Sequence, residues 1–360
     1  SNSFPGPDAN MIYRNQVLLL LVIIVDNTLA EEEHGVYRLP PGGRFDPELT
    51  MNVPQIIAHW GYSVETHQVT TADGYILELH RIPHGNNGAK SNCTRRPVVF
   101  MQHGLESGSH DWIINLPDQS PGYFYADAGF DIWLGNFHGN TYGKKHVSMK
   151  PFMNAKFWSF SFDEMAEHDL PAMIDFVLDK TGEQQVHYLA HSQGTLAMFA
   201  KLSEDQASGK KLKAFYALAP IGTVTSIKGL IKFASDWLTF PLKLMEDLLG
   251  SFEFLPSDIF MQLVADIFCT DPLVKYVCKN VMFLIGGPQT SDNFNTTRAG
   301  VYTSHAPSGT STQNVLHWAQ MVKGGKVAKY DFGFWENLKH YGRMSPPVYD
   351  YARISGVSIH

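Results

Sequence analysis

Cysteine is scarce in this chain. Three cysteines in 360 residues allow at most one internal bridge. The fold must therefore come from buried apolar surface rather than from a covalent framework. Basic residues are also thin: 28 Lys and Arg stand against 35 Asp and Glu, for a formal net charge of -7. No basic stripe and no interleaving of aromatic and basic side chains is present, which argues against a nucleic-acid partner. Long hydrophobic runs are missing as well. The nine apolar residues from Val17 to Val25 fall far short of the ~20 needed to span a bilayer. What the chain does have is 44% hydrophobic and 12% aromatic residues. That is enough for a large core, in one α/β domain with an insertion or in two domains.

The short apolar run has another use. Met11 opens a segment with one positive charge, Arg14, and the run ends in Thr28-Leu29-Ala30. Residues 11–30 thus read as a secretory signal peptide, with cleavage expected after Ala30. Residues 1–10 do not fit such a signal and are expected to be translated leader or a cloning scar. Export gives the cysteines meaning. Cys269 and Cys278 lie close together, and a bridge between them would stabilise their loop by roughly 2–3 kcal/mol. Cys93 stands alone inside Asn92-Cys93-Thr94, formally a glycosylation acceptor, as is Asn295-Thr296-Thr297. Asn295 is the favoured one of the two.

Val186-His187-Tyr188-Leu189-Ala190-His191-Ser192-Gln193-Gly194-Thr195 reads as a buried strand breaking abruptly into a helix, with Ser192 at the break. A nucleophile elbow of the G-x-S-x-G kind needs small residues two before and two after its serine, because the turn is strained and crowded. Gly194 meets that demand, and Ala190 meets it with one extra methyl. An ordinary strand-to-helix turn that happens to carry a serine is the bland alternative. The flanking text favours the elbow.

Upstream, a lead-in helix is expected over Val53–Trp60. A hairpin of Ser63–Thr70 and Tyr75–Arg81 follows, turning at Ala72-Asp73-Gly74. Val98–Gln102 is an apolar strand running into His103-Gly104-Leu105, where glycine lets a backbone approach a substrate oxygen. Gly129–Gly135 supplies the next strand, and Gly135–Asn140 a glycine-punctuated loop. Ser161-Phe162-Asp163-Glu164 is a capping box before a helix with the apolar stripe Met165, Leu170, Ile174 and Val177, kinked at Pro171. The helix Thr195–Leu202 and the strand Ala214–Ala219 complete the first part. Strands alternating with helices imply a mostly parallel sheet with helices on both faces. From Ile221 to about Pro347, helical text dominates: Leu230–Phe240, Leu242–Leu249, Ile259–Phe268 and Leu273–Phe283. This reads as a helical cap inserted over the site. The domains expected are 31–222 for the first part of the core, 223–347 for the cap and 348–360 for the start of the returning core.

These strings closely resemble the acid lipases of the gastric and lysosomal type, within the α/β-hydrolase fold. The likeness runs through Asn52–Gly61, Thr71–Pro83, Pro97–Leu105, Ala126–Asn140, Phe157–Asp169, His187–Thr195, Phe215–Pro220 and Ser304–Gln320. It implies that Ser192 is the nucleophile that carries an acyl group. It further implies that the Leu105 and Gln193 N–H groups form the oxyanion hole, that Cys269 and Cys278 form the cap disulfide, and that Asn295 is glycosylated. The implied substrates are neutral lipid esters, triacylglycerol and cholesteryl ester, met at a lipid–water interface. The implied protein needs no metal or organic cofactor, has no transmembrane segment, and is secreted or lysosomal.

Three departures from the family stand out. Ala190 replaces the usual glycine, and His138 stands where arginine is expected. The chain also ends at His360, where the strand carrying the catalytic acid is only beginning. In the Ser–acid–His order of this fold, the acid and histidine are then expected beyond His360, and residues 31–360 alone would not turn over substrate. Asp331 and His340 have the right order but lie in cap-like text, where a plain surface histidine is the simpler account. His103 and His110 flank the oxyanion loop and are expected to hold its shape. Two rivals remain: a non-catalytic lipid-binding relative, and a short-chain carboxylesterase. The intact Ser192-Gln193-Gly194 and His103-Gly104-Leu105 speak for an enzyme, and the large helical cap for a bulky lipid.

Overall fold

The computed structural model describes residues 46–86, 95–227, 239–255, 295 and 298–360. The signal segment, Asn92, Cys93, Cys269, Cys278 and the helices expected over Ile259–Phe268 and Leu273–Phe283 lie outside the described residues, as does most of Leu230–Phe240.

Helix α1 (Val53–His59) begins where Asn52 accepts from the Gln55 N–H while the Gln55 side chain accepts from the Asn52 N–H. Its buried face is Val53, Ile56 and Ile57, the spacing of one side of a helix. The hairpin is β1 (Glu65–Thr70) and β2 (Tyr75–Ile82), with Thr70 opposite Ile76. Beyond it come β3 (Val98–Gln102), α2 (Pro121–Asp127), β4 (Asp131–Leu134) and the short β5 (Lys145–His146). Strand β6 (Val186–His191) leads into α4 (Gln193–Glu204), after which β7 (Leu212–Leu218) follows; α3 (Leu170–Thr181) precedes them. Among the described residues these form a sheet of order β1-β2-β4-β3-β6-β7, with β5 off β2. The first three strands run antiparallel, and β4, β3, β6 and β7 run parallel. Residues 358–360 continue the sheet beside β7. The Phe215 N–H donates to the Ser358 carbonyl at 2.8 Å, and the His360 N–H donates to the Phe215 carbonyl at 2.8 Å.

Parallel centre strands are covered on both faces, and side-chain alternation divides them. Val98, Phe100, Trp133 and Tyr188 enter one buried cluster with Met173, Leu196 and Trp318. Val99, Met101, Ile132, Leu134 and Leu189 enter the other, with Ile56, Ile57 and Tyr123. Both faces are therefore apolar, as the continuous runs of the sequence required.

The expected capping box is present: the Ser161 side chain accepts from a backbone N–H of the first turn, and Glu164 reaches back to the Ser161 N–H at 2.6 Å. Ahead of Pro171 the helix behind it carries a feature the sequence did not reveal: one wide turn spans Met165–Asp169, with the Leu170 N–H bonded to the Met165 carbonyl, and α3 follows with Pro171 in its first turn. Pro171 has no N–H to give the preceding turn, and the widened turn absorbs the mismatch.

The region read as a cap contains α5 (Thr239–Leu249), α6 (Ala299–His305), α7 (Thr312–Gly324) and α8 (Phe334–Tyr341). It also holds a ribbon that the periodicity did not reveal: β8 (Glu253–Phe254) pairs antiparallel with β9 (Thr310–Ser311). Helix α7 is no loose cover, since its Trp318, Met321 and Val322 belong to the main core. No helix of the described residues is long and apolar enough to cross a membrane.

Candidate active site

Ser192 sits between the last residue of β6 and the first of α4, with φ of 50° and ψ of -116°. A non-glycine residue with positive φ in this region is strained, at a cost of roughly 1–3 kcal/mol. The surroundings fix it there. The Ser192 N–H donates to the Leu218 carbonyl at 3.0 Å, and its own carbonyl accepts from the Thr195 and Leu196 N–H groups at 2.9 and 3.2 Å. The Thr195 hydroxyl adds a third bond to that carbonyl at 2.7 Å.

The elbow leaves no room for a side chain at Gly194 and little at Gly104. A Cβ at Gly194 would stand 2.7 Å from the His103 carbonyl oxygen and 2.8 Å from that of Gln102, both backbone atoms that cannot step aside. A Cβ at Gly104 would stand 3.1 Å from the Ser192 Cβ. Ala190 meets no such obstacle. It is fully buried in β6, opposite Gln102 of β3 and Ala217 of β7, and its methyl is part of the core. The position two before the serine thus accepts a methyl, and the one two after does not.

Gln193 is the first residue of α4, and Ser192 makes no side-chain cap there. The leading N–H groups of a helix lack partners within it and attract negative charge. The Gln193 side chain is turned the other way. Its Oε1 accepts from Trp318 Nε1 at 2.6 Å and Asn314 Nδ2 at 3.0 Å, both on α7. Asn314 Oδ1 in turn accepts from the Phe162 N–H at 3.0 Å. Leu105 lies in the turn after β3, and its loop is held by histidine and asparagine side chains. The Gly104 carbonyl accepts from His103 Nδ1 at 2.8 Å, which leaves His103 Nε2 to accept from the Phe137 N–H at 3.1 Å. Burial drives His103 down to about 4 and His110 down to about 3, so both are neutral. Asn136 accepts from the Ser109 N–H at 2.9 Å and from Asn140 Nδ2 at 2.9 Å.

His138 is fully buried against Asp169. The Asp169 carboxylate accepts from His138 Nδ1 at 2.7 Å and from its N–H at 2.9 Å. The ring stacks on Tyr75 at 4.1 Å. Burial works against the imidazolium, but the Asp169 carboxylate outweighs it and raises His138 above its ordinary range.

The histidines proposed as alternatives stand elsewhere among the described residues. His187 lies near the start of β6, beside Tyr216 and in a cavity with Arg95, Glu183 and Lys213, at the strand end away from Ser192. The in-chain pair Asp331 and His340 is not joined. Asp331 accepts from the Gly333 N–H and from Asn337 Nδ2, while His340 stacks flat on Phe332 at 4.1 Å. Among the described residues no histidine makes a hydrogen bond with Ser192 Oγ. No group of three or more His, Cys, Asp or Glu among them is placed to hold a metal ion. Asn295 is half-buried, and its carbonyl accepts from the Arg298 N–H at 3.1 Å. The residues that sequence reasoning passed over are Asn314, Trp318 and Asp169. Their strings carried family likeness but no sign of what they touch.

Residues 53–116 match the family model described as a partial alpha/beta-hydrolase lipase region, and residues 97–330 match that of the alpha/beta hydrolase fold. Lipase lipl-1 of Caenorhabditis elegans is 50% identical over 86% of this chain and 76% of its own length. Lipase lipl-5 of the same organism is 51% identical over 89% and 79%. Human gastric triacylglycerol lipase is 46% identical over 88% and 78%.

Proposed function

The chain belongs to the lipases of the gastric and lysosomal acid type within the α/β-hydrolase fold, and on that premise we propose that Ser192 carries its chemistry as an acylated nucleophile. The single observation behind this assignment is the strained Ser192 backbone, held between β6 and the leading N–H of α4 by a Gly194 that tolerates no side chain. Ser192 Oγ adds to the ester carbonyl carbon, and its proton passes to a general base. The carbonyl oxygen becomes an oxyanion that accepts from the Leu105 and Gln193 N–H groups. Collapse expels the alcohol, and water then releases the fatty acid from Ser192. Preformed N–H donors of this kind are worth about 10²–10³ each in rate. The contacts of Asp331 with Gly333 and Asn337, and of His340 with Phe332, speak against that pair as the base.

The substrate class is a neutral lipid ester, triacylglycerol foremost. Exposed Phe240, Leu244, Leu248 and Leu249 on α5 support contact with apolar material. The cap, residues 223–347, would then gate the site at a lipid–water interface. Residues 11–30 and the Asn295 sequon support passage through the secretory route, to the outside or to a lysosome. A Cys269–Cys278 bridge and glycosylation of Asn295, and more weakly of Asn92, belong to the same reading.

A fluorophosphonate probe should label Ser192, read by peptide mapping, and Ser192→Ala should lower kcat by roughly 10⁶. Labelling elsewhere with Ser192 untouched rejects the assignment.

A further inference from the structure

Glu106 follows Leu105 directly and has φ of 56°, one of the few non-glycine residues of this kind among those described. Both of its carboxyl oxygens are buried and lack a hydrogen-bond partner. The Gly309 N–H faces the group short of a full hydrogen bond, while Glu253 of β8 and Lys144 bring opposite charges to it. Lys144 is itself paired with Glu253. The Glu106 carbonyl accepts from the Ser308 N–H at 2.9 Å, and the Ser308 carbonyl accepts from the Thr141 N–H at 3.0 Å. One strained residue thus joins the loop after β3 to the turn before β9 and to the loop that carries Lys144.

We propose that Glu106 is a positioning residue whose uncharged carboxyl group packs the oxyanion loop against the 308–309 turn and the Lys144–Glu253 pair. An isolated carboxylate cannot be held in such a place, because burial without a partner disfavours the charged form. Burial foremost, with Glu253 adding to it and Lys144 opposing it, pushes Glu106 well above the usual carboxylate range. Ionisation would set an unsolvated negative charge near Glu253, whose cation is already engaged. The loop must then open to admit water, and the Leu105 N–H moves with it. Acid closes the oxyanion loop and alkali loosens it. The inference rests on Leu105 as an oxyanion donor.

The test uses the full chain and four variants: Glu106→Gln, Glu106→Ala, Glu253→Gln and Ser192→Ala. Two readings are taken across pH: kcat/KM on a soluble nitrophenyl ester, and the amide-exchange protection of residues 104–107 corrected for intrinsic rate. The native chain should lose kcat/KM about tenfold per pH unit above the Glu106 ionisation, with protection of the loop lost over the same range. Glu106→Gln, permanently uncharged and of the same shape, should abolish both limbs. Glu106→Ala should lower activity about tenfold at every pH, the loss Glu106→Gln rescues. Glu253→Gln removes one negative neighbour and should move both limbs to lower pH. An alkaline limb unchanged in Glu106→Gln, or limbs unmoved in Glu253→Gln, overturns the proposal. If hydrolysis survives Ser192→Ala, the reading of the nucleophile fails instead, and the exchange measurement alone decides the role of Glu106.

Discussion

At the residue scale the elbow separates two small-residue positions that a motif treats alike. Gly194 faces backbone carbonyls of β3 at 2.7 and 2.8 Å from any added Cβ. Gly194→Ala should therefore push β6 and α4 away from the oxyanion loop and lower kcat/KM by at least ~10², the scale set by a displacement of about 1 Å. Ala190→Gly should do the reverse of repairing a defect. It removes a packed methyl from a strand interior, costs roughly 0.5–1 kcal/mol in urea denaturation and gains no rate. A faster Ala190→Gly enzyme would show that the methyl crowds the nucleophile. His138 makes a second residue-scale prediction. Its folded value is raised, so its contribution to stability is complete below about pH 6.5, the unfolded histidine value, and is lost as pH rises through the folded value. Unfolding free energy measured across pH should fall over that window and flatten in His138→Gln. His138→Ala strands Asp169 in the core and should cost about 3–5 kcal/mol.

At the scale of elements, the junction of α4 with α7 explains why helical text outside the sheet matters to the site. Trp318 and Asn314 hold the Gln193 side chain, and with it the first turn of α4. Trp318→Phe keeps the aromatic packing and removes one donor at 2.6 Å. It should lower stability by about 1 kcal/mol and reduce kcat more than it changes KM, because the Gln193 N–H acts on the developing oxyanion. Equal kcat in the variant would detach α7 from the chemistry. Much of this scale was readable in advance. The lead-in helix, the hairpin, the apolar strands and the Ser161 capping box all depend on near neighbours in sequence, whose period and caps act locally. The wide turn at Met165–Asp169 was not readable, because Pro171 signals a broken ladder without saying how the helix absorbs it. The β8–β9 ribbon escaped for another reason: two strands of two residues each carry no alternation.

At the scale of the whole molecule, buried ion pairs tie distant segments together. Glu48 receives both Nη1 and Nη2 of Arg298, at 2.9 and 2.5 Å, and Arg298 also donates to the Ile114 carbonyl. His305 Nε2 bonds the Glu48 carbonyl at 2.9 Å, which fastens α6 to the same point. Glu48→Ala removes both carboxylate bonds to the buried Arg298 guanidinium and should cost about 3–5 kcal/mol. The thermal midpoint should fall accordingly, and limited proteolysis should open first near residue 298. An unchanged midpoint would mean that this joint is not a source of stability.

The sequence by itself determined the family, the parallel character of the sheet and the place of Ser192. Those follow from short-range rules: apolar runs bounded by turn residues, and an elbow whose steric demand falls on residues two away. The tertiary structure decided the polar partnerships: Gln193 with Trp318, His138 with Asp169, Glu48 with Arg298, and the unpartnered carboxyl of Glu106. A buried polar group stays in the core by virtue of what stands across from it. That neighbour is supplied by folding from tens to hundreds of residues away, a distance over which no local pattern extends.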